Sequence, residues 1–483
     1  MWRFAHSIGV EDNDNYPKFK DKERLLINMS NCKYFVIRFV AKHLFNFRMT
    51  FKQQDVDQMD SGYYDINSHN NEDWDIFWTD AGVLPERIAK MKPYQKVNHF
   101  PGMFQLSRKN HLARNLIKMQ KEFPKEYKFF PKTYLLPSEF GEFKLSFANK
   151  SAANRPVYIV KPEAGCQGRG IFLTNTHEDL NPEDHYVVQK YIKNPLLIDD
   201  LKFDCRLYVL VLSVDPMRIY LFKEGLARFS TEAYRVPNKK NMNNHYMHLT
   251  NYAINCRNKE KFVFNKNLDD VDSGHKRTFT SVLELIEEMF DDGKEKVDEM
   301  MHKIEQLIIR TLCTVQPSLK HYLNIPNKAQ YTCGEMTNNP GQVNSMCFEI
   351  LGFDVLIDEK LKPWLIEINH APSFATDTPL DFKMKKDVIA DTIQLLGMTY
   401  KRKKKFIKSH KQYINKRMLN AKKIIKDTPK PSSKKIPAEP LSGIKVKLPD
   451  DEEEELPKVE NKKKAEESDS GDEDGEEEKE YTN

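Results

Sequence analysis

The sequence predicts an α+β protein, because strand-like and helix-like segments are mixed along it and no internal repeat is visible. Short apolar runs bounded by glycine, proline or asparagine are typical of strands. Residues 281–322 carry apolar side chains every three or four positions, which is typical of a long helix. A chain of 483 residues with 39% hydrophobic content is long enough for two or three packed units.

The N-terminal part mixes both kinds of segment. Residues 25–45 predict a strand, a turn and a helix. A helix is also predicted from Ser107, which is a good N-cap residue, and His99 before it is expected to be a hydrogen-bonded turn residue. The strand-like segment 73–80 has three apolar side chains that we expect on one face, in the core: Trp74, Ile76 and Trp78.

Most of the remaining body predicts strands. Residues around Asp215-Pro216 are expected to join an antiparallel pair, and residues 358–360 a tight hairpin. The strand-like segments are 156–162, 170–175, 186–192, 204–216, 218–230, 347–358 and 362–369.

Composition excludes several classes of protein. The seven cysteines are scattered and form no C-x-x-C pair, so neither a disulfide framework nor a zinc site is predicted, and a reducing cytosol is expected. No apolar run approaches the roughly 20 residues of a membrane-spanning helix. The first residues have no apolar signal core.

Charge is concentrated near the C-terminal end. Residues 401–430 carry 13 basic and one acidic side chain, and residues 431–483 carry 9 basic and 18 acidic ones. The acidic segment is poor in apolar residues and is predicted to be disordered. The basic segment predicts an amphipathic helix that needs a polyanion, unless it is a localisation signal or a merely solvated stretch. Its apolar or ring-bearing residues are Phe406, Ile407, His410, Tyr413, Ile414, Met418 and Ile424.

A glycine-rich loop follows the strand that ends near Lys161. Its glycines, at positions 165, 168 and 170, let backbone N–H groups approach a polyphosphate, and Lys161 supplies a positive charge. The order of residues fits neither a Walker loop nor a dinucleotide fingerprint. An ordinary β-turn is the alternative interpretation.

Two carboxylates and an amide lie on the last predicted hairpin. Glu367 and Asn369 share one face of their strand, and Asp354 lies on the preceding strand. Three oxygen donors on neighbouring strands suit Mg²⁺ that bridges nucleotide phosphates. The alternative is a row of polar side chains that faces solvent, but buried strands make unpaired acids costly.

Cations and polar groups on the intervening segments predict a positively charged cleft for a nucleotide and a second anion such as a carboxylate. Taken singly, each is equally well explained as a surface or structural residue. They are Lys202, Asp204, Arg206, Arg228, the segment 248–252, Lys276 and Arg277.

These motifs, in this order, resemble the tubulin tyrosine ligase-like family, and specifically its polyglutamylase branch. The resemblance covers residues 25–400 and rests on NHFPGM, FFPKTYLLP, YIVKPEAGCQGRGIF, LKFDCRLYVLVLSVDP, EGLARFST, MHLTNYAIN, CFEILGFDVLID and KPWLIEINHAPSF. It implies an ATP-grasp-like core of three lobes, a cationic helical segment for microtubules and a charged tail. The corresponding ranges are 1–130, 131–200, 201–400, 378–430 and 431–483.

The resemblance implies ATP-dependent addition of free L-glutamate to side-chain glutamates of tubulin C-terminal tails through an acylphosphate. Mg²⁺ is then expected on Asp354, Glu367 and Asn369. Catalytic roles are implied for Arg228, Lys276 and His370, and these residues with Gln167 and Tyr252 are expected to meet glutamate or the acceptor. ATP is expected to meet Lys161, Gln167, Gly168, Gln189, Lys190, Tyr191, Ile192, Lys202, Phe203, Asp204, Thr250 and Asn251.

Three residues, Cys166, Gln167 and His370, resemble the members that elongate existing glutamate chains. The implied setting is the cytoplasm and cytoskeleton, including cilia, flagella or basal bodies, with no nucleic-acid or membrane partner. Two alternatives remain: a related ligase, either a glycylase or a glutamylase of a non-tubulin protein, and a non-catalytic microtubule-binding protein. Intact Lys161 and the three metal-binding candidates argue against the latter, and Arg228 argues against glycine.

Overall fold

The computed structural model describes residues 4–5, 20, 23–51, 73–92, 94–148, 151, 154–163, 165, 168–264, 274–327 and 345–427. Its strands are β1 (Phe4–Ala5), β2 (Leu26–Asn31), β3 (Arg48–Thr50), β4 (Ile76–Thr79), β5 (Lys96–Val97), β6 (Thr133–Leu135), β7 (Tyr158–Pro162), β8 (Phe172–Thr174), β9 (Tyr186–Lys190), β10 (Leu197–Ile198), β11 (Leu201–Val214), β12 (Met217–Phe229), β13 (Lys276–Thr278), β14 (Glu349–Ile357) and β15 (Pro363–Asn369).

Helices are interspersed among these strands along the chain, which makes the fold mixed α/β. They are α1 (Phe35–Phe39, continued by a π-helical turn over Val40–Leu44), α2 (Pro85–Lys90), α3 (Phe104–Ser107), α4 (Lys109–Glu122), α5 (Phe140–Leu145), α6 (His245–His248), α7 (Tyr252–Asn255), α8 (Phe279–Glu288), α9 (Gly293–Cys313), α10 (Gln316–Asn327), α11 (Pro379–Leu395) and α12 (Tyr400–Asp427). Among the described helices none is both long and apolar enough to cross a bilayer.

The largest sheet has seven strands in the order β1-β12-β11-β14-β15, with β10 and β13 at its margins. The predicted antiparallel pairs β11/β12 and β14/β15 are confirmed. Both faces are buried, since Leu207 and Val209 point into one apolar cluster while Tyr208 and Leu210 point into another. Burial on both sides explains why these strands are nearly continuous apolar runs.

Two smaller sheets flank this one. The N-terminal sheet, β3-β2-β4-β5, is parallel throughout, and α1 with its π-helical turn connects β2 to β3. Parallel pairing was not predicted, because a short apolar run carries no sign of the direction of its partner. The other sheet, β6-β9-β7-β8, is antiparallel, and the glycine-rich loop joins β7 to β8.

The predicted single helix over 281–322 is wrong, because the structure divides it into α8, α9 and α10. The first break lies at Gly293, where a Cβ atom would come within 1.9 Å of the Glu287 carbonyl oxygen. The Asp291-Asp292-Gly293 sequence is a turn signal, and the apolar period that continues on both sides concealed it.

Two local predictions in the N-terminal part also fail. Ser107 ends α3, and extended Arg108 precedes α4, so Ser107 does not cap that helix. Ile76 and Trp78 share a face as predicted, but Trp74 precedes β4 and joins the opposite apolar cluster.

The basic segment forms α12, whose first turn contacts the N-terminal sheet. Lys403 Nζ lies 2.9 Å from Oδ1 of buried Asp75, and Phe406 is buried. Further along, four apolar side chains remain exposed: Ile407, Ile414, Met418 and Leu419. The predicted disorder of residues 431–483 lies outside the described residues.

Lys96 on β5 offers a test of packing in this region. It is 5% exposed and donates to the Ser345 carbonyl, and burial, with a contribution from Arg402, lowers its pKa to about 7. Between that pH and 10.5 the unfolded chain holds a proton that the folded protein releases, so this lysine makes stability rise with pH.

We therefore expect Lys96→Met to make the pH dependence of stability shallower by up to about 1.4 kcal/mol per pH unit, the equivalent of one proton. Thermal unfolding of ligand-free protein between about pH 7.5 and 9.5 measures this, since that range spans the shifted pKa. Exposed Lys90, changed to Met, is the control and keeps the wild-type slope. An unchanged slope in Lys96→Met contradicts the assignment of a neutral buried amine.

Candidate active site

A row of polar side chains crosses one face of the large sheet. Arg206 of β11 stands opposite Asp354 of β14, and Asp354 stands opposite Glu367 of β15. On the other side Asp204 is opposite Arg228, and Arg228 is opposite Lys276 of β13. Opposite residues in antiparallel strands share a face, so the strand register brings together groups that are far apart in sequence.

Asp354 is the centre of an ionic network. Its Oδ1 lies 2.5 Å from Arg206 Nε and its Oδ2 lies 2.9 Å from Arg228 Nη2. Arg228 also donates from Nε to Asp204 Oδ1 at 3.0 Å. Burial would raise the pKa of Asp354, but the two guanidinium groups hold it below its ordinary value. Asp354 is therefore ionised despite being buried.

Glu367 and Asn369 complete the predicted metal set beside Asp354. Both side chains are partly exposed. In the amide orientation that satisfies its neighbours, Asn369 donates to Glu367 Oε1 at 3.2 Å and accepts from Arg206 Nη2 at 3.2 Å. The structure thus brings the three oxygen donors together, as the hairpin pattern predicts.

Lys161 lies across a cleft from this hairpin. Its Nζ donates to Gln189 Oε1 at 2.9 Å, and Gln189 donates to Thr133 Oγ1 at 3.2 Å. Lys161, Gln189 and Glu367 line one pocket, together with Lys109 of α4. Burial lowers the pKa of Lys161 to about 8, while the negative charge of Glu367 opposes that shift. A lysine charge that is desolvated and weakly paired suits an anionic ligand.

The glycine-rich loop lies close to α7. Gly168 has φ +79°, and a Cβ there would lie 2.5 Å from Ile254 Cδ1 and 3.3 Å from Asn251 Oδ1. Only glycine fits this left-handed and crowded position. Asn251 and the loop are therefore neighbours, as the predicted nucleotide set requires. Gln167 and Cys166 lie outside the described residues.

A second buried lysine lies next to the loop-bearing sheet. Lys202 Nζ donates to the Tyr191 hydroxyl at 2.9 Å and to the His248 carbonyl at 2.7 Å. Burial lowers the pKa of Lys202 to about 7. Burial and the charge of Lys202 lower the pKa of His248 to about 4, so this imidazole is neutral. Thr250, two residues further on, is partly buried.

Lys276 is held from two sides. Its Nζ lies 2.7 Å from Asp381 Oδ2 and 4.0 Å from the centroid of the Tyr252 ring. Asp381 is fully buried, and its Oδ1 lies 2.9 Å from Lys385 Nζ. Burial raises the pKa of Tyr252 well above its ordinary range, so the phenol stays neutral. Lys276 and Tyr252 are thus brought together, as predicted.

Three predicted nucleotide residues lie at the margins of this arrangement. Lys190 is exposed and Ile192 is half-buried. Phe203 points into the core on the opposite face, where its ring stacks on Phe229 with centroids 5.2 Å apart. Phe203 can therefore offer a ligand its backbone, but not its side chain.

His370 follows Asn369 and lies apart from the Arg228 network. Its Nδ1 is 3.6 Å from Glu349 Oε1, and Glu349 also contacts His99 at 2.8 Å. His99 is hydrogen-bonded, as the sequence predicts. With Asn98, the two histidines line a second pocket beside the hairpin.

Sequence reasoning missed several residues that support the site. Glu349 sits in an apolar segment, where a single acid is a weak signal, although isolated acids in buried runs usually have a charged partner. Asp381 precedes several lysines, where an acid is not unusual. Lys109 donates to the Gly165 carbonyl and Asn110 to Glu163, so α4 supports the glycine-rich loop. Sequence spacing carries no sign of these contacts.

The arrangement is suited to phosphate chemistry. A carboxylate–carboxamide set faces a buried lysine and a glycine-rich loop, and an arginine lies behind it. These are the groups that hold a divalent cation, a polyphosphate and a carboxylate. Positively and negatively charged side chains line the same cleft, where the low polarity of the surroundings strengthens the electrostatic interactions between them.

Comparison with known proteins agrees with this chemistry. The sequence model of the tubulin-tyrosine ligase family matches residues 87–406. The chain is 48% identical over 415 residues to the probable beta-tubulin polyglutamylase of Tetrahymena thermophila, covering 86% of this chain and 32% of that protein. It is 41% identical over 398 residues to the tubulin polyglutamylase TTLL6 of Mus musculus, covering 82% and 43%. The chain thus spans less than half the length of either relative.

Asp381→Asn tests the ionic support of Lys276. The change leaves two buried ammonium groups, those of Lys276 and Lys385, beside a neutral amide, so we expect it to cost about 3–5 kcal/mol of unfolding free energy. Urea unfolding followed by tryptophan fluorescence measures the loss. The same change at exposed Asp298 is the control and has little effect. A loss in Asp381→Asn no larger than in this control contradicts the assigned pairing.

Proposed function

Because the chain belongs to the tubulin-tyrosine ligase family, we propose that it is an ATP-dependent ligase that adds glutamate to side-chain glutamates of tubulin C-terminal tails. The relatives compared above are named for tubulin polyglutamylation. In this reaction class, ATP activates the acceptor carboxylate as an acylphosphate, and the amine of free glutamate then displaces phosphate.

One observation carries the proposal. Asp354, Glu367 and Asn369 lie on one face of the hairpin, and Glu367 shares a cleft with Lys161 of the smaller antiparallel sheet. Two sheets that close on a phosphate site support an ATP-grasp-like core. We propose its lobes to be residues 1–130, 131–200 and 201–400.

The residues of the hairpin fit Mg²⁺. Its donors are oxygens, which hard cations prefer, and Asp354 is held ionised by Arg206 and Arg228. Asp354 Oδ2 is contacted by both arginines, whereas Oδ1 accepts only from Arg206 Nε, so Oδ1 keeps a second lone pair for a metal. When bound, Mg²⁺ supplies charge neutralisation for the transferring phosphate.

The nucleotide is proposed to lie between the glycine-rich loop and the large sheet. Lys161 offers a charge to its phosphates, and Gly168 allows close backbone approach. Lys202 and Tyr191 are proposed to form the far side of the cleft. The other residues proposed to contact the nucleotide are Gln167, Gln189, Lys190, Ile192, Asp204, Thr250, Asn251 and the backbone of Phe203.

Free glutamate is proposed to meet Arg228, Lys276 and Tyr252. The contacts of Arg228 with Asp204 and Asp354 use Nε and Nη2, which leaves Nη1 for an incoming carboxylate. The ring of Tyr252 and the ammonium of Lys276 are already packed together. Such a preorganised anion site costs little reorganisation when the amino acid binds.

The acceptor is proposed to approach from the side of His370 and to meet Gln167 as well. The resemblance at Cys166, Gln167 and His370 favours elongation of existing chains. A partly exposed imidazole next to the metal donors is consistent with an acidic chain passing there.

Helix α12 is proposed to bind the acidic tails of microtubules and to place the protein at the cytoskeleton, including cilia, flagella or basal bodies. Its outward lysines and arginines complement a polyanion, and this attraction weakens with salt. An acidic protein rather than nucleic acid or a membrane is the proposed partner.

The direct test is label incorporation from glutamate or glycine, offered in turn with ATP and Mg²⁺ on tubulin, with mass spectrometry of the tails. We expect glutamate to be incorporated. We expect Glu367→Gln to reduce the rate by at least about 100-fold, because the proposed metal site loses one negatively charged ligand. Glu359→Gln, on the exposed turn of the same hairpin, is the matched control and stays active.

Each result has a distinct meaning. Incorporation of glycine favours a glycylase. Transfer of glutamate to another acidic protein but not to tubulin favours a glutamylase of a non-tubulin protein. Microtubule binding without transfer of either amino acid favours a non-catalytic protein. Full activity of Glu367→Gln refutes the metal site.

The proposed role of α12 is tested by charge reversal on its exposed face. Changing Lys404, Lys405, Lys416 and Arg417 to Glu is expected to weaken microtubule co-sedimentation at least about ten-fold, while nucleotide affinity changes less than about two-fold. Lys403 is left intact because it contacts Asp75. Reversal of four exposed lysines elsewhere, at 90, 121, 125 and 294, is the control for net charge. An equal loss in both variants refutes a specific helix surface.

A further inference from the structure

Glu349, the first residue of β14, is a fully buried carboxylate that the proposed reaction does not use. The loop after β5 fixes both its oxygens. Oε1 lies 2.8 Å from His99 Nδ1, and Oε2 accepts from the Phe100 N–H at 2.8 Å. The carboxylate therefore joins the N-terminal sheet to the large sheet.

His99 balances this buried charge. Its second nitrogen, Nε2, lies 2.9 Å from the Thr79 carbonyl oxygen and 3.4 Å from the Asn98 amide nitrogen. Burial opposes protonation, yet Glu349 and the Thr79 carbonyl raise the pKa of His99 above its ordinary value. His99 and Glu349 thus form a buried, hydrogen-bonded pair whose geometry is fixed by its neighbours.

The same Glu349 oxygen also faces His370. Its Oε1 is 3.6 Å from His370 Nδ1, beyond a hydrogen bond but within ion-pair range, and the rings of His99 and His370 have centroids 5.8 Å apart. The His370 side chain is 34% exposed and lines the second pocket, directly after Asn369. One edge of its ring is therefore turned to a fixed charge and the other is open.

We propose that Glu349 is a positioning residue that, anchored by His99, sets the orientation of the His370 ring at the wall of the pocket beside the metal donors. This inference rests on the proposed function, in which an acidic acceptor chain enters at that pocket. The carboxylate acts through His370 and does not touch the reacting atoms. Its contribution is thus specific to the acceptor, and nucleotide and free glutamate are unaffected.

A double-mutant cycle separates this role from simple stabilisation. Glu349→Gln keeps the size of the side chain and an acceptor for Phe100, but removes the charge. We expect it to raise the KM for an acceptor peptide that carries a glutamate chain about five- to ten-fold, with the KM for ATP changed less than about two-fold. In a His370→Ala background the same change is expected to add less than about two-fold.

Glu359→Gln is again the matched control and leaves both KM values unchanged. If Glu349→Gln unfolds the protein, Glu349→Asp, which keeps the charge near His99, goes through the same cycle. An equal effect with and without His370 overturns the proposal, because a structural role does not depend on that ring. Stoichiometric zinc in the purified protein, lost on Glu349→Gln, also overturns it, since the three ligand atoms lie within 4.8 Å of one another.

The same assays distinguish failure of the proposed function from failure of the positioning role. A wild-type protein that transfers no glutamate to any acceptor refutes that function before the cycle begins. Active wild-type protein with additive effects of the two changes refutes only the positioning role.

Discussion

The buried ionic network around Asp354 is the constraint on which the site depends. Two arginines from neighbouring strands, Arg206 and Arg228, neutralise a carboxylate that is almost removed from water. Burying these charges costs free energy, and their mutual attraction repays it only when the geometry is good. The network therefore stabilises the fold little, but it fixes the positions of the charged groups that we propose to hold a cation and a carboxylate.

The surrounding sheets supply the complementary half of the cleft. The smaller antiparallel sheet contributes Lys161 and Gln189, and α4 supports the loop that follows. The smaller sheet has its own apolar cluster, whereas α4 packs into the cluster of the large sheet, so the cleft lies where two separately packed layers meet. Ligand sites commonly form at such boundaries, because polar groups can face each other there without disrupting a core.

Sequence reasoning predicted which groups of the candidate site lie together more fully than it predicted the architecture. Glu367 and Asn369 alternate on one strand, so their shared face follows from a period of two, and the hairpin turn places Asp354 beside them. Contacts such as Lys276 with Asp381, 105 residues apart, depend on tertiary packing and have no local signal. The parallel order of the N-terminal sheet was missed for the same reason, whereas the break before α9 has a local turn signal that the continuing apolar period concealed.

The strand register described for β11 and β14 also bears on how faithfully the protein folds. The shared face is ionic near Arg206 and aromatic two residues later, at Tyr208. A slip by two residues keeps every side chain on its proper face, so apolar patterning alone does not oppose it. Yet a slip in one direction brings Asp354 opposite Tyr208, away from Arg206. A slip in the other direction brings Asp354 opposite Asp204, where two carboxylates face each other. The charges that serve the cleft thus also discriminate against misaligned pairings during assembly of the sheet.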